Sequence, residues 1–132
     1  MIVLDASAAV AVLLNVGLES RRVRKRISQP GETLHVPHLF EIEVLSALRR
    51  HSLSGVLPAT RARLALDRLR EIRLIRYPHT PLLGRIWELR DNLTAYDAAY
   101  VALAEALDAP LVTLDERLAQ ASNNRATIEL HR

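Results

Sequence analysis

Ile2-Val3-Leu4-Asp5-Ala6-Ser7-Ala8-Ala9-Val10-Ala11-Val12-Leu13-Leu14 opens the chain and decides how its fold is read. Three β-prone apolar residues end at an acid, and an Ala-rich helical run follows at once. A short, wholly apolar strand that passes straight into a helix is the unit of a parallel sheet covered on both faces. The unit recurs downstream. Residues 33–36 form a second strand closed by Pro37, followed by a helix over 38–51. Residues 72–75 form a third, stopped by Pro78. Residues 111–114 form a fourth after Pro110, followed by a short helix over 115–121 and an edge strand around Thr127 and Ile128. Helices over 18–28, 58–70, 81–90 and 94–107 fill the intervals, with Gly17 and Pro30-Gly31 as breaks. Strand and helix alternate, which predicts an α/β sandwich of three layers with a short, mainly parallel central sheet flanked by helices.

The 132 residues suit one compact domain over 1–132, and 49% of them are apolar, enough for a core. No internal repeat or linker interrupts them. The 18 basic residues outnumber 15 acidic ones, and Lys25 is the only basic residue that is not Arg. Arg forks match phosphate oxygens, so this balance suits a nucleic-acid partner; it is equally the mark of GC-rich coding. Cys is absent, which excludes disulfides, thiolate metal sites and cysteine nucleophiles. No stretch reaches the roughly 20 apolar residues of a membrane span. The N-terminus lacks a basic leader and Asp5 breaks its apolar run, so a soluble, cytoplasmic protein is expected.

In parallel α/β sheets the working crevice lies beyond the carboxyl ends of the strands. Asp5 follows the first strand and Asp115 the fourth. Asp97, near the start of its helix, and Glu41 or Glu43 on the third helix can join them. Taken singly, Asp5 and Asp115 read as N-caps, and Thr94-Ala95-Tyr96-Asp97 as a capping box. Asp97, however, begins the apolar face that continues through Tyr100, Val101, Ala104 and Leu107, where a solvated cap would not be needed. Carboxylates gathered at one edge repel unless a cation neutralises them, and an oxygen-only donor set points to Mg²⁺ or Mn²⁺. Glu41 and Glu43 differ by about 200° around a helix, so only one faces the site, and periodicity does not choose between them.

Four segments, in order, carry a resemblance: Ile2-Val3-Leu4-Asp5-Ala6-Ser7-Ala8; 36–50, with Phe40-Glu41-Ile42-Glu43-Val44-Leu45-Ser46-Ala47-Leu48-Arg49-Arg50 at its centre; 93–104, around Thr94-Ala95-Tyr96-Asp97-Ala98-Ala99; and Leu111-Val112-Thr113-Leu114-Asp115-Glu116-Arg117-Leu118. Over nearly its whole length the chain resembles the PIN-domain ribonucleases, most closely the VapC toxins of bacterial toxin–antitoxin pairs. The resemblance implies a divalent-metal-dependent endoribonuclease. It selects Glu43 over Glu41 and makes Asp5, Glu43, Asp97 and Asp115 the catalytic, Mg²⁺-binding set, with Mn²⁺ as an alternative. Ser7 and Thr113 match the small hydroxyl positions that support the site. Ser46 stands where many relatives carry Asn, and no role is carried over to it. The resemblance also implies an RNA substrate, a VapB-type antitoxin partner and a homodimer.

Setting aside those four acids leaves 18 basic residues against 11, an acidic pocket in a basic surface. The run Arg21-Arg22-Val23-Arg24-Lys25-Arg26, and Arg61, Arg63, Arg68 and Arg70, read as solvated helix faces or as RNA contacts. The five His show no metal-ligand spacing, and Trp87 reads as a core or interface residue. Two rivals remain. A haloacid-dehalogenase-type phosphatase needs a second Asp where this chain has Ser7. A non-catalytic RNA- or protein-binding module of the same fold would keep the shape and lack the cleavage.

Overall fold

The computed structural model describes residues 1–121 and 124–132. Its centre is a five-stranded sheet of order β3-β2-β1-β4-β5, made of β1 (Ile2–Leu4), β2 (Leu34–Pro37), β3 (Ile75–Tyr77), β4 (Leu111–Thr113) and β5 (Ile128–Leu130). Every pairing is parallel, so the expected mainly parallel sheet is wholly so. The two central strands carry the most apolar segments of the sequence: β1 and Leu111 and Val112 of β4 are fully buried.

Helices α1 (Ala6–Leu14), α2 (Gly17–Ile27), α3 (Phe40–Leu53) and α4 (Ala59–Glu71) precede β3; α5 (Leu83–Glu88) and α6 (Ala95–Leu107) precede β4; and α7 (Glu116–Gln120) precedes β5. α1 packs on α2, α3 and α4, while α6 packs on α5 and lies against β1 and β2. The chain first builds outward from β1 to β3, then crosses to the far side of β1 for β4. Right-handed crossovers therefore put α1–α4 on one face and α5–α6 on the other. Among the described residues no helix is long and apolar enough to cross a membrane.

Most element bounds shift by one or two residues, the third helix from 38–51 to Phe40–Leu53 among them, and three further differences have separate reasons. The third strand, read over 72–75, lies at Ile75–Tyr77. α4 runs on to Glu71, and β3 takes its register from β2, with His35 opposite Ile75 and Pro37 opposite Tyr77. β3 is an edge strand with Ile75 and Arg76 exposed, so hydrophobicity does not mark it. The last strand lies at Ile128–Leu130, where pairing with β4 sets it. The helix read over 81–90 splits into a 3₁₀ turn at Thr80–Leu82, with Pro81 inside it, and a short α5.

His35 is one of the polar residues built into this core. It is 3% exposed, with Nδ1 2.7 Å from the Tyr77 hydroxyl and Nε2 2.8 Å from Thr33 Oγ1. Burial, helped by the charge of the N-terminal amine, holds its pKa below the usual histidine value. A neutral ring thus ties β2 to the edge strand.

Candidate active site

The strand order reverses at the β1/β4 junction, because the connections leaving those two strands run to opposite sides. In an open parallel sheet such a switch point opens a crevice at the carboxyl edge. The residues that follow the two strands are Asp5 and Asp115. A cleft of 620 Å³ opens there, lined by Asp5, Glu43, Asp97 and Asp115 together with Ser7 and residues of α3 and α6. All four acids expected at the site share it. Glu41 does not.

Asp5 is the fixed point. Its backbone N–H donates to Val112 O across the switch point at 3.0 Å. Its side chain is 5% exposed, and Oδ2 accepts from Ser7 Oγ at 2.6 Å and from Thr113 Oγ1 at 2.7 Å. It precedes α1 with extended backbone but makes no side-chain capping bond to that helix, so the N-cap reading fails for Asp5. Burial raises its pKa above the usual carboxylate value, the two hydroxyls oppose the rise, and the charge of Asp115 adds to it.

Ser7 and Thr113 do more than hold Asp5. Ser7 Oγ also accepts from Leu114 N at 3.1 Å, and Thr113 Oγ1 accepts from Asp115 N at 2.9 Å. The hydroxyls therefore join the β1–α1 corner to the β4–α7 corner, and Thr113 is fully buried. Thr113→Val should remove a donor to Asp5 and an acceptor for Asp115 N at once. A loss of about 1–3 kcal/mol in denaturant unfolding is expected, since a buried partner is left unpaired. Unchanged stability would mean that the corner does not depend on this hydroxyl.

The other acids divide. Asp115 does cap its helix, accepting from Arg117 N at 2.9 Å, and its other oxygen lies 3.5 Å from the Arg117 guanidinium. For this residue the cap is real, and it turns one oxygen away from sharing. Asp97 sits at the third helical position of α6, with its N–H donating to Thr94 Oγ1 at 3.2 Å, the forward half of the expected capping box. Burial first, and then the charges of Asp5 and Asp115, raise its pKa.

Glu43 and Glu41 are separated by the turn of α3. Glu41 pairs with Arg76 of the edge strand at 2.6 Å, which lowers its pKa. Glu43 points inward, and burial raises its pKa; the Tyr100 hydroxyl opposes that, while Asp5 and Asp97 add to it. The approach of Tyr100 falls short of hydrogen-bond geometry, so Glu43 Oε1 and Tyr100 Oη are both buried without a partner. Tyr100, three residues after Asp97, read in sequence only as part of an apolar face. A phenol on that face was the one available signal that a polar partner lay opposite.

Three carboxylates with raised pKa and one buried, unpartnered carboxylate oxygen form a donor set short of positive charge. Among the described residues no three acidic or histidine side chains converge closely enough to hold an ion as they stand. Mg²⁺ does not require that, because it keeps several waters and is usually bound through one or two carboxylates. The residues fit a hydrated divalent cation, with Asp5 and Glu43 the best prepared.

A family model for the PIN domain matches residues 2–124 of the chain. The VapC ribonuclease Mb0985 of Mycobacterium bovis is 49% identical over 128 residues, covering 97% of this chain and 96% of that protein. Ribonuclease VapC1 of Mycobacterium tuberculosis is 44% identical over 131 residues, covering 98% and 97%. Among solved structures, PAE2754 from Pyrobaculum aerophilum superposes with a TM-score of 0.69 at 26% identity, covering 96% of this chain and 81% of that one. VapBC2 from Rickettsia felis, bound to a DNA fragment from its promoter, superposes with a TM-score of 0.72 at 16% identity over the whole of both chains, a likeness of fold.

Proposed function

Because the chain belongs to the PIN domain family, and its relatives at 49% and 44% identity are VapC ribonucleases, we propose that it is the ribonuclease toxin of a toxin–antitoxin pair, dependent on Mg²⁺ or Mn²⁺. One observation carries the metal-dependent reading: four carboxylates share the cleft at the sheet's switch point, and one of them has a buried oxygen without a partner. Asp5, Glu43, Asp97 and Asp115 would hold the cation. When bound, such an ion neutralises phosphate charge and lowers the pKa of a water. The protein's part is position. Ser7 and Thr113 fix Asp5, Thr94 fixes the start of α6 beneath Asp97, and Arg117 sets the direction of Asp115. No described side chain is required as a nucleophile, so water displaces the 3′ oxygen and the product keeps a 5′ phosphate.

The test is cleavage of RNA by the purified protein with and without EDTA, with end-group analysis of the product. Cleavage in Mg²⁺ that stops in chelator and leaves 5′ phosphate is expected. Undiminished cleavage in chelator, or a 2′,3′-cyclic phosphate, rejects the chemistry. No cleavage under any condition would favour the rival reading, an RNA- or protein-binding module.

Two partners belong to the same reading. Leu18, Leu53, Val56 and Leu64, on or beside the helices of the first half, are exposed large apolar residues, as a surface for a short amphipathic antitoxin segment would be. Leu83, Trp87 and Tyr96 expose a second apolar patch on and beside α5, suited to a twofold contact between copies. Light scattering at micromolar concentration should give a dimer, and the product of a neighbouring antitoxin gene should co-purify and suppress cleavage. A monomer, or co-expression without suppression, would count against the corresponding partner.

A further inference from the structure

α3 presents a mixed stripe to the cleft. Glu43 stands at one end, Ser46 and Ala47 follow one turn on, and Arg50 and His51 stand a further turn on, all lining the same space. Spacings of three, four, seven and eight from Glu43 put these side chains on one helix face. The two small residues leave the middle of the stripe open. One wall of the cleft is thus acidic at the sheet and cationic about 10 Å further along the helix axis.

Arg50 differs from most arginines in the protein. Arg24, Arg26, Arg61, Arg68, Arg76 and Arg132 each donate to a carboxylate, an amide or a carbonyl oxygen. Arg50 is exposed and makes no side-chain hydrogen bond or ion pair among the described residues. It acts on Glu43 through its charge, without pairing to it or to any other acid of the cleft. A cation in the last turn of a helix does favour the helix dipole. That role is open to any position around the turn, and Arg49, which does not line the cleft, would serve it equally.

We propose that Arg50 is a substrate-binding residue of this nuclease, holding a backbone phosphate that flanks the scissile one while the carboxylates occupy the reacting end. This rests on the reading of the cleft as a ribonuclease site. A flanking phosphate is the fitting ligand for three reasons. The guanidinium is free to donate a fork of N–H groups. It stands apart from the acids that must face the reacting phosphate. Ser46 and Ala47 leave an unobstructed path between the two ends.

The test measures binding and cleavage separately. Anisotropy of a short, fluorescein-labelled, random-sequence single-stranded RNA is titrated with protein in Ca²⁺ over a range of salt. The proteins are wild type, Arg50→Ala, Arg50→Lys and Arg73→Ala. Arg73 is likewise exposed and makes no side-chain hydrogen bond or ion pair among the described residues, but lies just before β3 at the opposite edge of the sheet, so it controls for net charge. Arg50→Ala should weaken binding about tenfold, the usual scale for a hydrogen bond to a charged group. It should also flatten the slope of log affinity against log salt by about 0.7, the value for one phosphate contact on a single strand. Arg50→Lys should restore the slope, and Arg73→Ala should change neither quantity. In Mg²⁺, Arg50→Ala should raise KM with kcat within about threefold. Equal effects of Arg50→Ala and Arg73→Ala, a slope that Lys does not restore, or a fall confined to kcat would each overturn the assignment. If wild type itself does not cut RNA in Mg²⁺, the ribonuclease reading fails; if it cuts and Arg50→Ala matches it in affinity and KM, only this inference fails.

Discussion

Glu43→Gln should reduce RNA cleavage by roughly 10²-fold or more, the scale on which loss of one preorganised electrostatic group is felt, while Glu41→Gln should stay within a few fold of wild type. The two residues stand two apart on one helix and differ in everything that follows from its turn. Glu43 lines the acid cleft with a buried oxygen that has no partner; Glu41 faces Arg76 across to the edge strand. Gln keeps the size of Glu43 and removes the charge a cation would meet. At Glu41 the same change breaks an ion pair whose partners are both about 40% exposed, so its cost in stability should be small. Asp5→Asn is the companion, because the Asn amide oxygen can accept from Ser7 and Thr113 as Asp5 Oδ2 does, while the charge is lost and the second oxygen gives way to an NH2 donor. An N-cap would be indifferent to it; a metal ligand would not. Active Glu43→Gln beside inactive Glu41→Gln would put the register of α3 wrong by two residues, and three active variants would remove the metal site.

The second large effect is on stability. Millimolar Mg²⁺ should raise the melting temperature of chelator-treated wild type by about 5–10 °C, the order expected when a ligand at some hundred times its Kd binds only the folded state. Asp5→Asn should lose most of that rise. Protons should imitate the metal. The pKa values of Asp5, Glu43 and Asp97 are raised in the folded protein, so the folded state binds protons there more readily than the unfolded chain. Their repulsion and burial therefore cost stability above those raised pKa values, and the cost is relieved as pH falls through them towards the unfolded value near 4. Other groups act in the opposite sense. His35, held neutral, loses its contribution as pH falls through about 6.5 and below, and Glu32, Glu41, Glu105 and Glu129, with lowered pKa values, lose theirs towards and below about 4.5. The profile of wild type alone is then a sum of opposed terms. The difference between wild type and Asp5→Asn, measured by thermal melts from pH 8 to 4.5, isolates the site: the variant should be the more stable at neutral pH without metal, and the gap should close on acidification. A gap independent of pH and Mg²⁺ would mean that the carboxylates do not interact.

The sheet was legible in the sequence because its central strands are buried on both faces and so must be apolar throughout. Ile2-Val3-Leu4 and Leu111-Val112 carry that signal, and the acids that end the two strands inherit the position at the carboxyl edge. The outer strands carry no such signal. β3 is exposed and β5 only partly buried, and each takes its register from the strand beside it, which is why both lie later in the chain than local pattern suggested. Local pattern also could not tell a cap from a site residue, since both uses want an acid at the start of a helix. Tertiary structure separates them: Asp115 caps α7, Asp5 caps nothing and is held by hydroxyls 2 and 108 residues away in the chain, and Asp97 combines a place in a capping box with the interior face. The choice between Glu41 and Glu43 has the same character. Sequence periodicity fixes that they diverge, because an α-helix turns about 100° per residue. Which of the two faces inward depends on where α3 lies against α1 and how its outer side meets Arg76 of β3, contacts between segments far apart in the chain. Sequence by itself thus determined the layers, the parallel sheet and the residue types at its working edge, because burial and strand–helix alternation are local demands. Direction, pairing and the partnerless oxygen of Glu43 were decided only when the chain closed on itself, because each is a relation between side chains that no single segment contains.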